Sequence, residues 1–253
     1  MSVPRVPPTD VWQALRATTP ARIGLGRAGN ALPLRAVLDL QMDHARARDA
    51  VHAALDVDRL AAELAPHEVL QVRSAAPDRP TYLRRPDLGR RLAQGAALPD
   101  GPGCDVLFVI GDGLSATGVQ AGAAELVHAC IAQLSGLTIG PVVIAQQARV
   151  ALADEIGARL RARMTVMVIG ERPGLSVADS LGLYMTFDPH VGRTDAERNC
   201  ISNIHGAGGL GADQAARTLG WLLREALRRG LSGVSLKDDQ PPLLAGTTNE
   251  GPP

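Results

Sequence analysis

Residues 164–169, MTVMVI, form the run that most restricts the fold. Six almost uninterrupted apolar or Thr residues, bounded by charge before and glycine after, suit a strand covered on both faces, as in a parallel sheet. GERPGLSVADS follows at 170–180 and reads as a turn carrying one acid, Glu171, the first residue beyond the strand end. In an open parallel sheet ligands bind outside the carboxyl ends of the strands, where loop amides and helix N-termini converge. Glu171 is therefore a candidate ligand contact.

The remaining elements extend this pattern. CDVLFVI (104–110) predicts a buried strand, Ala116 to Leu134 a helix, GPVVIAQQ (140–147) a strand, and Val150 to Arg161 a helix. After the 164–169 strand come a short helix at Val177 to Leu181, a strand at LYMTF (183–187), another at CISNI (200–204), and a long helix from Ala212 to Arg229. Repeated strand–helix–strand units imply an α/β fold, a Rossmann-like parallel sheet flanked by helices. Its carboxyl rim collects Asp112, Gln146, Gln147, Glu171, Asp188 and His205.

Residues 1–95 read as a smaller, mainly helical N-terminal domain. Asp10 can cap a helix through Leu15, and Leu34 to Ala54 forms a long amphipathic helix with apolar residues at 34, 37, 38, 42 and 51. Val57 to Leu64 and Pro86 to Ala93 are further helical pieces, and VLQVRS (69–74) a short strand. The linker AQGAALPDGPGC (93–104) separates this part from the α/β domain at 96–240, and residues 241–253, rich in Pro and Gly, form a flexible tail.

Composition excludes several function classes. Acidic and basic side chains balance at 26 each and aromatics make up 2% of the chain, so neither a basic field nor a stacking platform invites nucleic acid. No apolar run reaches the length of a membrane span, and no signal peptide precedes the first elements, so a cytoplasmic protein is expected. Three widely spaced cysteines, Cys104, Cys130 and Cys200, make neither a disulfide framework nor a CxxC pair. Cys200 reads as a packed, small apolar side chain rather than a reactive thiol. No HxH or HExxH spacing occurs, so no protein metal cage is expected, and no GxSxG elbow supports nucleophilic catalysis.

Two glycine motifs remain open. Gly24-Leu-Gly26-Arg-Ala-Gly29 is a literal GxGxxG without the strand it would terminate. Gly206-Ala-Gly208-Gly209-Leu-Gly211 follows CISNI and precedes a helix, with Asp238 near the end of a later short strand, so a dinucleotide-binding oxidoreductase is one reading. A noncatalytic scaffold is another.

TPARIGLGRAG (19–29), YLRRPDLGRRL (82–92), GDGLSA (111–116), VIGERPGLSVADSLGLY (168–184) and ERNCISNIHGAGG (197–209) together resemble the small (light) subunit of ethanolamine ammonia-lyase. The resemblance covers nearly the whole chain. It implies a carbon–nitrogen lyase that uses adenosylcobalamin, the vitamin B12 coenzyme, to convert ethanolamine to acetaldehyde and ammonia by a radical mechanism. It also implies a large-subunit partner holding the substrate pocket, several heterodimers per assembly, and cobalamin at the interface between the subunits. The cobalamin contacts carried over are Val150, Glu171 and Cys200, with no catalytic residue and no metal ligand in this chain. Asp188-Pro-His190-Val-Gly192 resembles the DxHxxG of proteins that ligate cobalt through histidine, with the glycine one position short, and the family requires no such ligand. Many relatives carry a longer N-terminal extension associated with bacterial microcompartments; here the chain starts close to TPARIGLGRAG, and packaging in such a shell is a location to test.

Overall fold

A computed structural model describes residues 11–19, 21–99 and 101–239; the proposed cap Asp10 and the tail 241–253 lie outside the described residues. Helices α1 (Val11–Arg16), α2 (Leu34–His52) and α3 (Val57–Glu63) precede strand β1 (Val69–Arg73) and helix α4 (Arg79–Arg84). Then follow β2 (Cys104–Gly111), α5 (Ala116–Ala132), β3 (Val142–Gln146), α6 (Leu152–Arg159) and β4 (Ala162–Gly170). Strands β5 (Leu181–Phe187) and β6 (Arg198–Ile204) and helix α7 (Ala212–Arg229) complete the order.

The six strands make one sheet in the order β1-β3-β2-β4-β5-β6. Period-two side-chain alternation divides the apolar strand residues between two cores. Val106, Phe108, Ile110, Met164, Val166 and Val168 face α3, α5 and α7, whereas Leu107, Val109, Met167 and Ile169 face α6. Burial on both faces explains why β2 and β4 read as continuous apolar runs. Caps fix where the helices begin: the carboxylates of Asp56 and Asp78 accept from Arg59 N and Thr81 N, and Ser115 Oγ accepts from Gly118 N.

The sheet is mixed rather than wholly parallel. Strands β1, β3, β2 and β4 run parallel, but β5 is antiparallel to both β4 and β6. A parallel return needs a crossover of about a dozen residues or more, usually helical. The expected helix at 177–181 is absent; residues 171–180 are a loop that brings the chain back beside β4. Direction reversal also moves Asp188 to the opposite rim, where its N–H donates to Arg163 O beneath the start of β4.

Further differences lie upstream. Residues 79–84 are helical with a proline in the first turn, whereas 86–93 hold only one 3-10 turn. Strand β1, ahead of the glycine- and proline-rich linker, is an edge strand of the same sheet. Helix α2 buries only Ala50; Leu34, Leu38 and Met42, counted on its apolar stripe, are exposed by 71%, 53% and 55%. Val37 and Val51 of the same stripe are half-buried, so its uncovered part is Leu34, Leu38 and Met42.

One buried ion pair joins α6 to β6. Arg198 Nη1 and Nη2 each donate to Asp154 carboxylate oxygens at 2.6 Å, and Nη1 also donates to Thr186 Oγ1 on the intervening β5. Both charged side chains are 2% exposed, so removing one partner strands the other charge in the interior. Asp154→Ala is expected to cost about 3–5 kcal/mol of folding stability, read as a lower denaturant midpoint. Replacing the pair by Asp154→Leu with Arg198→Met is expected to cost less than the single change.

Candidate functional site

The carboxyl ends of β2, β3 and β4 meet at one rim, with the end of β6 beside them. After β2 the buried Asp112 turns its carboxylate toward the end of β3, where Oδ2 accepts from Gln147 N at 2.9 Å and Oδ1 from Ala148 N at 3.0 Å. Gln147 has φ +54°, a left-handed conformation uncommon outside glycine, and the carboxylate satisfies the amides this bend exposes. Ala148 O accepts from the hydroxyl of Tyr82, a fully buried residue whose phenol burial pushes up to about 12. The guanidiniums of Arg79 and Arg149 both lie over the Tyr82 ring, 4.8 and 4.4 Å from its centroid. Val150 follows directly, half-buried at the entry to α6.

Glu171 is held by the loop that replaces the expected helix. Its N–H donates to Ser180 O, while Ser180 Oγ donates to its Oε2 at 2.9 Å and Asn203 N reaches the same oxygen at 3.4 Å. Among the described residues Oε1 has no hydrogen-bond donor. The carboxylate lies over Gly182, where an added Cβ would stand 2.8 Å from Oε1 and 3.0 Å from Tyr184 Cε2. Close approach also sets the turn after β2: a Cβ on Gly170 would meet Ser115 O at 2.1 Å, and one on Gly113 would meet Gly170 O at 2.2 Å.

Cys200 stands opposite Tyr184 in the β5–β6 register. It is exposed, not packed as expected, because β6 is an edge strand whose outward positions pass beyond the cover of α6. The sulfur is nonetheless sheltered against the Tyr184 hydroxyl. Partial desolvation pushes the thiol up, the tyrosine hydrogen bond pulls it down, and the Glu171 charge adds to the rise. Tyr184 is pushed up in turn, chiefly by burial and then by Cys200. These shifts tie Cys200, Tyr184 and Glu171 into one electrostatic neighbourhood.

The three residues singled out from the sequence line two adjoining hollows. One, of about 360 Å³, includes Tyr82, Leu114, Val150, Glu171 and Tyr184; the other, of about 280 Å³, includes Arg149, Val150, Tyr184, Arg198 and Cys200. Arg149, Val150 and Tyr184 belong to both. Sequence reasoning missed Arg149 and Tyr184, which carry no motif of their own. A larger hollow, about 1080 Å³, lies between α1, α2 and the 175–176 loop and contains none of the three.

Other rim candidates separate from this group. His205 sits at the end of β6 with the Gly206–Gly211 loop, in a different hollow of about 380 Å³ beside Glu125 and Asp179. That loop folds back on the edge strand, with Leu210 N donating to Asn203 O, and among the described residues no later short strand is found near Asp238; residues 233–235 form a 3-10 turn. The dinucleotide fingerprint lacks its strand–helix–strand unit there. His190 is exposed on the rim opposite Glu171. Among the described residues no group of three or more His, Cys, Asp or Glu is placed to hold a metal, and no helix is long and apolar enough to cross a membrane.

A family model described as ethanolamine ammonia-lyase light chain (EutC) matches residues 9–237. The chain belongs to that family. Among its relatives, the ethanolamine ammonia-lyase small subunit of Bradyrhizobium diazoefficiens is 54% identical, over 98% of this chain and 97% of its own length. The proteins of that name from Rhodopseudomonas palustris and Xanthomonas campestris pv. campestris are 55% and 50% identical, over 89% and 98% of this chain and 89% and 94% of theirs. Membership in the light chain family makes this a lyase subunit.

The electrostatics of the rim can be read from its thiol. A raised pKa leaves less thiolate at neutral pH, so in the isolated chain Cys200 is expected to alkylate more slowly than in the denatured chain. Glu171→Gln removes a negative neighbour, lowers the thiol pKa and is expected to speed the reaction. Peptide mapping by mass spectrometry separates Cys200 from Cys104 and Cys130.

Proposed function

We propose that this chain is the small subunit of an adenosylcobalamin-dependent ethanolamine ammonia-lyase, converting ethanolamine to acetaldehyde and ammonia together with a large subunit. In this reading the rim at Val150, Glu171 and Cys200 is one wall of the cobalamin site. The observation that carries it is the convergence of these residues, from a loop after β3, a loop after β4 and strand β6, on two hollows that share Val150 and Tyr184.

The residues present fit such a ligand. A corrin is a broad, largely neutral macrocycle fringed with amides, larger than either hollow, so it would lie across both and leave its other face to the partner. Glu171 Oε1, free of donors among the described residues, can accept from an amide N–H. Val150 and the ring of Tyr184 offer apolar contact, and the Cys200 sulfur a soft, weakly polar one. When bound, adenosylcobalamin supplies the radical chemistry. This chain's residues would orient the ligand and exclude water rather than move protons. The relatives' small-subunit name and the uncovered part of the apolar stripe of α2 agree with a chain that works against a large partner. Helices on both faces of the sheet, and the crossing order β3-β2-β4, support reading residues 96–240 as a Rossmann-like, cobalamin-contacting unit, to which β1 adds an edge strand from upstream.

Ammonia and acetaldehyde release from ethanolamine plus adenosylcobalamin is expected only when this chain and the large subunit from the same genome are combined. Glu171→Ala is expected to raise the cobalamin Kd roughly 10–100-fold, the scale of one charge-assisted hydrogen bond, with little effect on ethanolamine binding. Unaltered cobalamin affinity with collapsed ethanolamine binding would overturn the assigned role.

A further inference from the structure

Arg149 stands between the two hollows, and its side chain is prepared for an acceptor that the described residues do not supply. Its Nε is buried with no hydrogen-bond partner. No carboxylate pairs with its guanidinium among the described residues; its backbone N–H donates to Gly89 O, and its fixed neighbour is the Tyr82 ring. Arg79, the other guanidinium over the same ring, has protein partners for two of its nitrogens: Nε donates to Val51 O at 2.7 Å, and Nη1 lies 3.6 Å from Asp112. Each cation thus keeps one buried nitrogen without a partner, but only Arg149 lines the two hollows.

The platform beneath it is rigid. Tyr82 is fully buried and its hydroxyl is tied to Ala148 O, so the plane on which Arg149 rests does not turn. Gly89 leaves the space: an added Cβ would stand 2.8 Å from Arg149 Cγ and 2.9 Å from Tyr82 Cε2. Buried polar groups are almost always hydrogen-bonded in the working protein. A half-buried guanidinium held over a buried ring, in a wall shared by both hollows, is a donor awaiting an oxygen from the occupant of those hollows.

We infer that Arg149 is a cobalamin-binding residue that donates to an acceptor oxygen of the ligand, either a side-chain amide carbonyl of the corrin or the phosphodiester of its nucleotide loop. This rests on the proposed cobalamin site. Glu171 then accepts and Arg149 donates across the shared Val150–Tyr184 wall, so the two fix the ligand's rotation as well as its position.

The test is equilibrium binding of cyanocobalamin and of dicyanocobinamide, which lacks the nucleotide loop, to the co-purified two-subunit complex. Wild type, Arg149→Met, Arg149→Lys and Gly89→Ala are compared, with complex assembly and melting temperature checked for each. Arg149→Met is expected to raise the cyanocobalamin Kd roughly 10–100-fold, with smaller increases for Arg149→Lys and Gly89→Ala. A loss confined to cyanocobalamin assigns the phosphodiester; equal losses for both probes assign an amide carbonyl. An assembled Arg149→Met complex that binds cyanocobalamin like wild type overturns the inference, even if its melting temperature falls. Should that variant not assemble, the Arg149→Lys and Gly89→Ala complexes decide: unchanged affinity in both overturns it. Failure of the wild-type complex to bind cyanocobalamin overturns the underlying cobalamin reading instead.

Discussion

The rim depends on the buried carboxylate of Asp112. Strand β3 ends in a left-handed bend at Gln147, which turns two backbone amides inward, one of them fully buried. Asp112 pairs both and thereby fixes the bend. The same bend presents Ala148 O to Tyr82, seats Arg149 on the tyrosine ring and sets Val150 at the mouth of α6. Burial pushes the Asp112 carboxyl up, while the two amides and Arg79 oppose the rise. A carboxylate at a strand end thus acts as a structural anchor for the residues that line the two hollows.

The second half of the rim is set by close approach. Gly113 and Gly170 bring the turn after β2 onto the end of β4 with no room for side chains, and Ser115 both caps α5 and donates to Ala178 O in the loop beyond Glu171. That loop is irregular, yet it is tied down at Ser115, Ser180 and Asn203. The loop that carries Glu171 is thus tied to two elements, the start of α5 and strand β6, and braced within itself at Ser180.

Much of this was legible in the sequence because burial leaves a mark. β2 is apolar over 106–110 and β4, Thr165 apart, over 164–169, since helices cover both sides there, and α7 carries its stripe every three or four residues. Strand direction leaves no such mark: β5 has the residues of a buried strand whichever way it runs, and the missing crossover helix at 177–181 decides it. Asp188 was misplaced for that reason alone. Helix α4 was overlooked although Asp78 and Pro80 are ordinary residues for a first turn. Glu171 was legible as the first residue beyond a buried strand, and Val150 and Cys200 were singled out only as what the family resemblance implies, whereas Arg149 and Tyr184 join them only when the turn after β3 and strand β5 come together. The stripe on α2 was visible, but periodicity cannot say what covers it.

The most direct test of the central claim is a structure of this chain bound to its large subunit and cobalamin. The account predicts corrin density against Val150, Glu171 and Cys200, across the two hollows that share Tyr184. Corrin density on the Gly206–Gly211 side of β6, or held wholly by the large subunit with this rim facing solvent, would contradict it.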